Sequence, residues 1–144
     1  MAAKSTTLST SVLNLLLNGV AIPALAGNAA ASPAAQLYVA LHTADPGAGG
    51  NQTGSEVGYT GYARVPVVRD GTGWSVADGV ATLVNDAPFA KCADAINVTA
   101  THCSFGLAAA GAGTLLYRAA LTPVLPIQNG TAPVLEKGTT ISES

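Results

Sequence analysis

The alternation of apolar and polar positions is clearest over Leu37–Asp45, Leu-Tyr-Val-Ala-Leu-His-Thr-Ala-Asp. Leu37, Val39, Leu41 and Thr43 fall on one side, and Tyr38, Ala40 and His42 on the other, because residues two apart share a sheet face. One face is aliphatic and the other mixed, which predicts an interior strand with both faces at least partly covered. Asp45-Pro46-Gly47 stops it, and Gly47–Ser55, with glycines at 47, 49, 50 and 54, reads as an exposed loop. Upstream, Ser9, Thr10 or Ser11 can cap a helix whose apolar positions are Val12, Leu13, Leu15, Leu16 and Leu17. Gly19 is placed to end that helix in the left-handed conformation. So short a helix is marginal alone and must pack on its own sheet or on a neighbouring subunit. Met1–Leu8 before it reads as flexible or extended, and Val20–Gln36 after it as a connector without either period.

Beyond the loop the pattern is one of short strands and turns. Val57–Val68 reads as a β region in which Tyr59 and Tyr62 straddle Gly61, the mark of a bulge or a close backbone approach. Ala63, Val65 and Val67 are expected to face the core, with Arg64, Pro66 and Val68 opposite. Pro66 donates nothing to a ladder, which puts this strand at an edge or interrupts it. Trp74–Val76 and Val80–Val84 flank Asp78-Gly79, the strongest hairpin signal in the chain. Phe89 reads as an anchor to the core, and Lys91–Val98 is open between a loop and a short strand at Ile96–Val98. Thr101–Leu107 is expected as a central strand with Cys103, Phe105 and Leu107 inward. Thr114–Ala120 follows, broken by Leu121–Pro126. Ile127-Gln128 and Thr131–Leu135 suggest a hairpin about Asn129-Gly130, and Thr139–Ser142 closes the sheet.

Roughly seven to nine short strands predict a mainly β fold, an antiparallel β-sandwich or partly open barrel with a short N-terminal helix. Repeated strand–helix units are missing, which disfavours a doubly wound sheet. Residues 1–36 are expected to form an arm of short helix and connector, and residues 37–144 a single antiparallel β domain.

Composition narrows the function. The 144 residues suit one domain. Charged residues are 10% of the chain, against about 25% in an ordinary soluble domain. A surface built from Thr, Ser, Asn and Gly repels its neighbours weakly and suits permanent residence in an assembly. The net charge is -2, and Lys4, Arg64, Arg69, Lys91, Arg118 and Lys137 form no basic stripe, so nucleic-acid binding is not expected. Asn14, Asn18 and Pro23 interrupt the apolar N-terminal run, so no membrane span is expected there. A secretory leader would need a longer apolar core, although Ala24-Leu25-Ala26 and Ala29-Ala30-Ala31 supply small residues of the cleavage type. Cys92 and Cys103 are two cysteines and not a framework, so a buried strand thiol and a loop thiol are expected in place of a bridge.

Candidate chemistry is thin. His42, His102, Cys103 and Asp45 would have to converge to hold a metal. His102 and Cys103 are strand neighbours that point to opposite faces, so no metal site is expected. A nucleophile triad would take Ser104, His42 and Asp45, yet Ser104 lies in Cys103-Ser104-Phe105-Gly106 and not in a Gly-x-Ser-x-Gly elbow. A Cys103–His42 pair has no better support. Asp45, Glu56, Asp70, Asp78, Asp86 and Asp94 fall mostly in turns, where a carboxylate bonds nearby backbone. Gly47–Gly50 and Ala109–Gly113 are glycine-rich but lack the Lys-Ser or Lys-Thr of a phosphate loop. Asn51, Asn97 and Asn129 match glycosylation triplets at a frequency this Asn- and Thr-rich chain gives by chance. No catalytic residue, cofactor or metal is therefore expected, and the chain reads as non-enzymatic.

Leu37-Tyr38-Val39-Ala40-Leu41-His42-Thr43-Ala44-Asp45-Pro46-Gly47 resembles a segment of small structural proteins of tailed bacteriophages. Glu56-Val57-Gly58-Tyr59-Thr60-Gly61-Tyr62-Ala63-Arg64 is similar to their next block. Thr101–Leu107 resembles a Thr-His-Phe-Gly-Ile strand from which Cys103 and Ser104 depart, and Ala112–Tyr117 and Ala120–Thr122 resemble the one after. The resemblance implies a virion protein without catalytic residues. The role expected from it is a capsid decoration or cement subunit on the outer surface of the head, with the major capsid protein and other copies of itself as partners. The alternative is a tail-fibre or tail-tip module contacting tail proteins and the host surface, in which Tyr59, Tyr62 or Trp74 would be displayed for a glycan; these three read first as core positions. The helix and the Gly47–Ser55 loop are expected to reach toward neighbouring subunits, and in the decoration role removing residues 1–19 is expected to weaken capsid attachment or self-association.

Overall fold

The computed structural model describes residues 4–29 and 32–143. Its elements run α1 (Thr6–Asn18), β1 (Gln36–His42), β2 (Val65–Val68), β3 (Trp74–Ala77), β4 (Val80–Leu83), β5 (Ala87–Pro88), β6 (Asn97–Gly106), β7 (Leu115–Gln128), β8 (Val134–Leu135) and β9 (Thr140–Ser142). The fold is mainly β, with antiparallel sheets and one short N-terminal helix; the sheets are not closed into a barrel. Contacts group the chain into two compact units, one of Met1–Gln36, Val68–Asp86 and Glu136–Ser144, the other of Leu37–Val67 and Ala87–Leu135.

In the first unit α1 packs beside a three-stranded sheet ordered β3-β4-β9. The helix starts a turn earlier than the apolar run suggests. Ser5 is the N-cap, its hydroxyl accepting from the Leu8 amide at 3.2 Å. The buried stripe is Ser9, Leu13 and Leu17, one residue every four, so a small polar residue begins the core face. Of the stretch expected to be flexible, residues 5–8 are therefore cap and first turn, and residues 1–3 lie outside the described residues. Gly19 closes the helix at φ 69°, and Val20 donates to the Asn14 carbonyl at 3.0 Å. The Asp78-Gly79 hairpin is present: both residues take positive φ, 50° and 75°, as a type I′ turn requires, and Ala77 faces Val80 across it. Trp74 is fully buried on β3, and β9 completes the sheet by pairing with β4.

The second unit holds a four-stranded sheet ordered β2-β1-β6-β7 and the short β5-β8 pair. Strand β1 is interior, as its two apolar-leaning faces predict, and Leu37, Val39, Ala40, Leu41 and His42 are all fully buried. Its partner β6 runs antiparallel, with Leu41 opposite Cys103 and His42 opposite His102. Pro66 sits on β2 at the sheet edge, where a missing amide costs least.

Four expectations are corrected in this unit. The β region at Val57–Val68 is ordered loop until Val65, and Arg64 turns inward (6% exposed) while Ala63 faces solvent. Leu107 is exposed (44%), because β6 ends at Gly106. Strand β7 does not end at Ala120: it resumes at Leu125 and runs to Gln128, since Asn97–Ala100 of β6 offer it a ladder. Residues Leu121–Val124 bulge out opposite the single residue Thr101. Finally, Asn129-Gly130 does turn the chain, but Val134–Leu135 pairs with Ala87–Pro88 and not back on β7. Cys92 and Cys103 are free and buried; Cys92, in a loop, is fully covered.

Candidate functional site

The second unit brings together two of the three residues that a nucleophile triad would need. His42 Nε2 lies 2.7 Å from Ser104 Oγ, and His42 Nδ1 lies 2.7 Å from the Gly54 carbonyl oxygen. A carbonyl only accepts, so Nδ1 carries the proton and donates to Gly54, and Nε2 accepts from the Ser104 hydroxyl. This is the bond pattern of a serine–histidine dyad with a backbone carbonyl in the place of the carboxylate. Asp45 is elsewhere, paired with Arg118 in a salt bridge. Both His42 and Ser104 are fully buried. A hydroxyl without access to water or substrate attacks nothing, so the dyad ties β1 and β6 to the loop carrying Gly54. Burial holds the His42 pKa below its ordinary value, which keeps the ring neutral.

The other candidate ligands stay apart. His102 Nδ1 meets its neighbour Thr101 Oγ1 at 2.9 Å. Cys103 lies inside the sheet, where burial pushes its thiol up to about 11. Among the described residues no group of three His, Cys, Asp or Glu side chains is placed to hold a metal ion. Asp70 bonds its own turn as expected, accepting from the Thr72 amide at 2.7 Å, whereas Asp86 and Asp94 accept from amides distant in the chain, those of Lys137 at 2.7 Å and Thr60 at 2.6 Å. Tyr59 and Trp74 are buried at 8% and 0% exposure, and Tyr62 stacks on Phe89 at 5.8 Å between ring centroids. Tyr59 and Trp74 are thus core positions, whereas Tyr62 is half-buried and borders an open pocket.

The best-defined polar constellation is one the sequence pattern hides. Arg64 donates from Nε to Glu56 Oε1 and from Nη2 to Glu56 Oε2, both at 2.7 Å, a bidentate pair. Its Nη1 also donates to the Ala108 carbonyl at 2.9 Å, and Nη2 to the Gly111 carbonyl at 2.8 Å. Glu56 thus closes the Glu56–Arg64 segment into a compact loop, and Arg64 locks the β6–β7 turn onto it. Inside that loop Tyr62 accepts from the Leu41 amide at 3.0 Å and donates to Glu56 Oε1 at 3.2 Å. Tyr59 donates to the Ala90 carbonyl at 2.6 Å. Burial pushes the Tyr62 hydroxyl well above its ordinary pKa, so it stays a donor. An open pocket of ≈ 340 Å³ lies over the ion pair, walled by Val57, Tyr62, Ala63, Ala109 and Ala110.

A second lock holds the Gly47–Ser55 loop. Gln52 is fully buried, donating from Nε2 to the Tyr38 carbonyl and accepting at Oε1 from the Ala108 amide, each at 3.1 Å. Its side chain fits only because Gly106 and Gly113 lack a Cβ, which would sit 2.2 Å and 2.4 Å from Gln52 atoms. The loop is exposed on either side of Gln52, as expected, but it is anchored at its middle. The only advance signal for this lock is a glutamine within a glycine-rich loop, with two further glycines at 106 and 113. The Arg64, Gln52 and His42 side chains described here thus bond mainly to backbone and join loops to strands.

The family model described as Podophage GP4 fiber I protein gp80 matches residues 3–142. No curated protein sequence matches the chain.

Proposed function

The chain belongs to the family of Podophage GP4 fiber I protein gp80, and on that premise we propose that it is a non-enzymatic structural subunit of a fibre on the virion of a tailed phage. A fibre-family protein is a structural component of the phage particle; the finer assignment to the fibre in place of the head is the proposal. The observation that carries it is the family match over nearly the whole chain. The site geometry supports it. Buried polar groups that satisfy backbone carbonyls rigidify a scaffold and offer no chemistry to a substrate. The partners proposed are other copies of this chain and the neighbouring tail proteins, reached through a surface poor in charge.

The capsid-decoration role makes a different demand on stoichiometry. A cement subunit covers a lattice and is present in hundreds of copies, whereas a fibre subunit is present in a small fixed number. Quantitative gel analysis of purified particles, normalised to the major capsid protein, separates the two. A low fixed copy number is the expected result; near-lattice stoichiometry would assign the chain to the head.

A further inference from the structure

The Gly47–Ser55 loop is held down without a hydrophobic anchor. Among the described residues 43–56, Gln52 alone is buried. Hydrogen bonds tie the segment to the sheet. The Thr43 amide donates to the Ser55 carbonyl at 2.8 Å, and the Gln52 amide to the Gly113 carbonyl at 3.1 Å. The Gln52 side chain adds its bonds to Tyr38 and Ala108, and Asn51 bridges to Thr114. The shortest of these ties is that of His42, whose Nδ1 donates to the Gly54 carbonyl at 2.7 Å. A segment with four glycines and no apolar side chain in the core opens at lower cost than the strands beneath it, because its opening exposes little apolar surface. What it covers is the fully buried His42–Ser104 pair of β1 and β6.

We infer that Gly47–Ser55 is an acid-operated strap: protonation of His42 drives the segment off the sheet while the strands under it stay paired. Charging the ring in place breaks neither of its bonds outright. Nδ1 goes on donating to Gly54, but Nε2 turns from acceptor to donor, so the Ser104 hydroxyl must turn its own proton away. The larger cost is a buried charge without a partner. Of the charged groups facing His42, Glu56 attracts an imidazolium, but Arg64 already holds both of its oxygens. Arg64 itself and His102, the cross-strand neighbour on β6, oppose the charge. Lifting the strap hydrates the ring and gives up only hydrogen bonds that water replaces. The open strap leaves the ring at its ordinary pKa of 6.5 and the closed strap keeps it neutral, so opening takes up a proton. The opening equilibrium is therefore flat above pH 7.5 and rises by up to about tenfold between pH 7.5 and pH 5.5.

Amide hydrogen exchange of the full chain, followed residue by residue by NMR and corrected for its intrinsic pH dependence, tests this. At pH 7.5 the Thr43 and Gln52 amides are expected to be less protected than the β1–β6 ladder. In low urea the ladder amides should speed up and these two should not, the mark of an opening that exposes little surface. At pH 5.5 the protection of both is expected to fall by up to about tenfold in the wild type and in His102→Gln, and to stay level in His42→Gln. Protection and urea response equal to those of the ladder would mean that acid opens the whole sheet, and would overturn the strap. A level pH profile in the wild type, or a fall that persists in His42→Gln, would overturn the part given to His42. Should His42→Gln not fold, the other two chains decide: a fall seen in the wild type and lost in His102→Gln belongs to His102 and overturns the proposal, and one kept in both supports it.

Discussion

Replacing Arg64 by Met keeps an apolar stem of similar reach and deletes the guanidinium that joins Glu56 to the β6–β7 turn. Glu56 then keeps the Tyr62 hydroxyl at 3.2 Å, and the Ala108 and Gly111 carbonyls lose their donors. Breaking one side of a buried ion pair costs about 3–5 kcal/mol, because the other charge stays behind uncompensated. The Arg64 side chain is 2% exposed but Glu56 is 17% exposed beneath an open pocket, so water relieves part of that penalty. The expected loss is therefore about 3 kcal/mol, a large share of the ~5–15 kcal/mol that holds a domain folded. In a chain of this size it lowers Tm by roughly 10 °C. Urea unfolding of the wild type, Arg64→Met, Glu56→Gln and the double variant forms a complete cycle. The double variant should recover at least ~1 kcal/mol over the sum of the singles, since neither leaves the other charge stranded. A loss below ~1 kcal/mol for Arg64→Met, or strict additivity, would show that the clamp does not hold the turn.

Three further perturbations test other parts of the structure. Because burial holds the His42 pKa in the fold below its unfolded value of 6.5, stability is complete above pH 6.5; it declines as pH falls below that, where the unfolded chain takes up a proton that the folded chain refuses. Denaturant titrations across that range should show the slope in the wild type and a flatter profile in His42→Gln; a wild type that gains stability on acidification would contradict the buried neutral ring. Gly106→Ala puts a Cβ 2.2 Å from Gln52 and 2.5 Å from the Thr114 carbonyl oxygen, which should cost about 2–3 kcal/mol, whereas Gly49→Ala meets nothing within 4 Å and should change thermal stability little. Arg69→Met strips donors from the Leu15 and Leu16 carbonyls and should cost about 1–3 kcal/mol, with faster amide exchange in the last turn of α1; unchanged exchange there would argue that water replaces the guanidinium without loss.

What the sequence shows and what it hides divide along physical lines. Leu37–Thr43 and the Asp78-Gly79 hairpin are legible because period-two alternation and a two-residue turn are local signals. Pro66 gives away its edge position because a missing amide is a local property too. The helix start is misjudged because Ser9 belongs to the buried stripe, and a serine in that stripe reads as a cap. Strand β7 is longer than its prolines suggest because Asn97–Ala100 pair with its far end, a partner out of reach of any local window. The Arg64 clamp and the Gln52 lock are hidden for the same reason. Alternation places Arg64 outward, and nothing in the chain order says that Ala108 and Gly111 bring their carbonyls to it. Ser104 and His42 do meet, although their spacing gives no hint of it; that they are sealed from solvent is a fact of packing alone.

The central claim, a structural subunit of a virion fibre, is tested most directly by locating the chain on the particle. Gold-labelled antibody against the purified protein, imaged on intact virions by electron microscopy, should decorate fibres at the tail and leave the head faces bare. Label spread over the head lattice, or no label on purified particles, would contradict it.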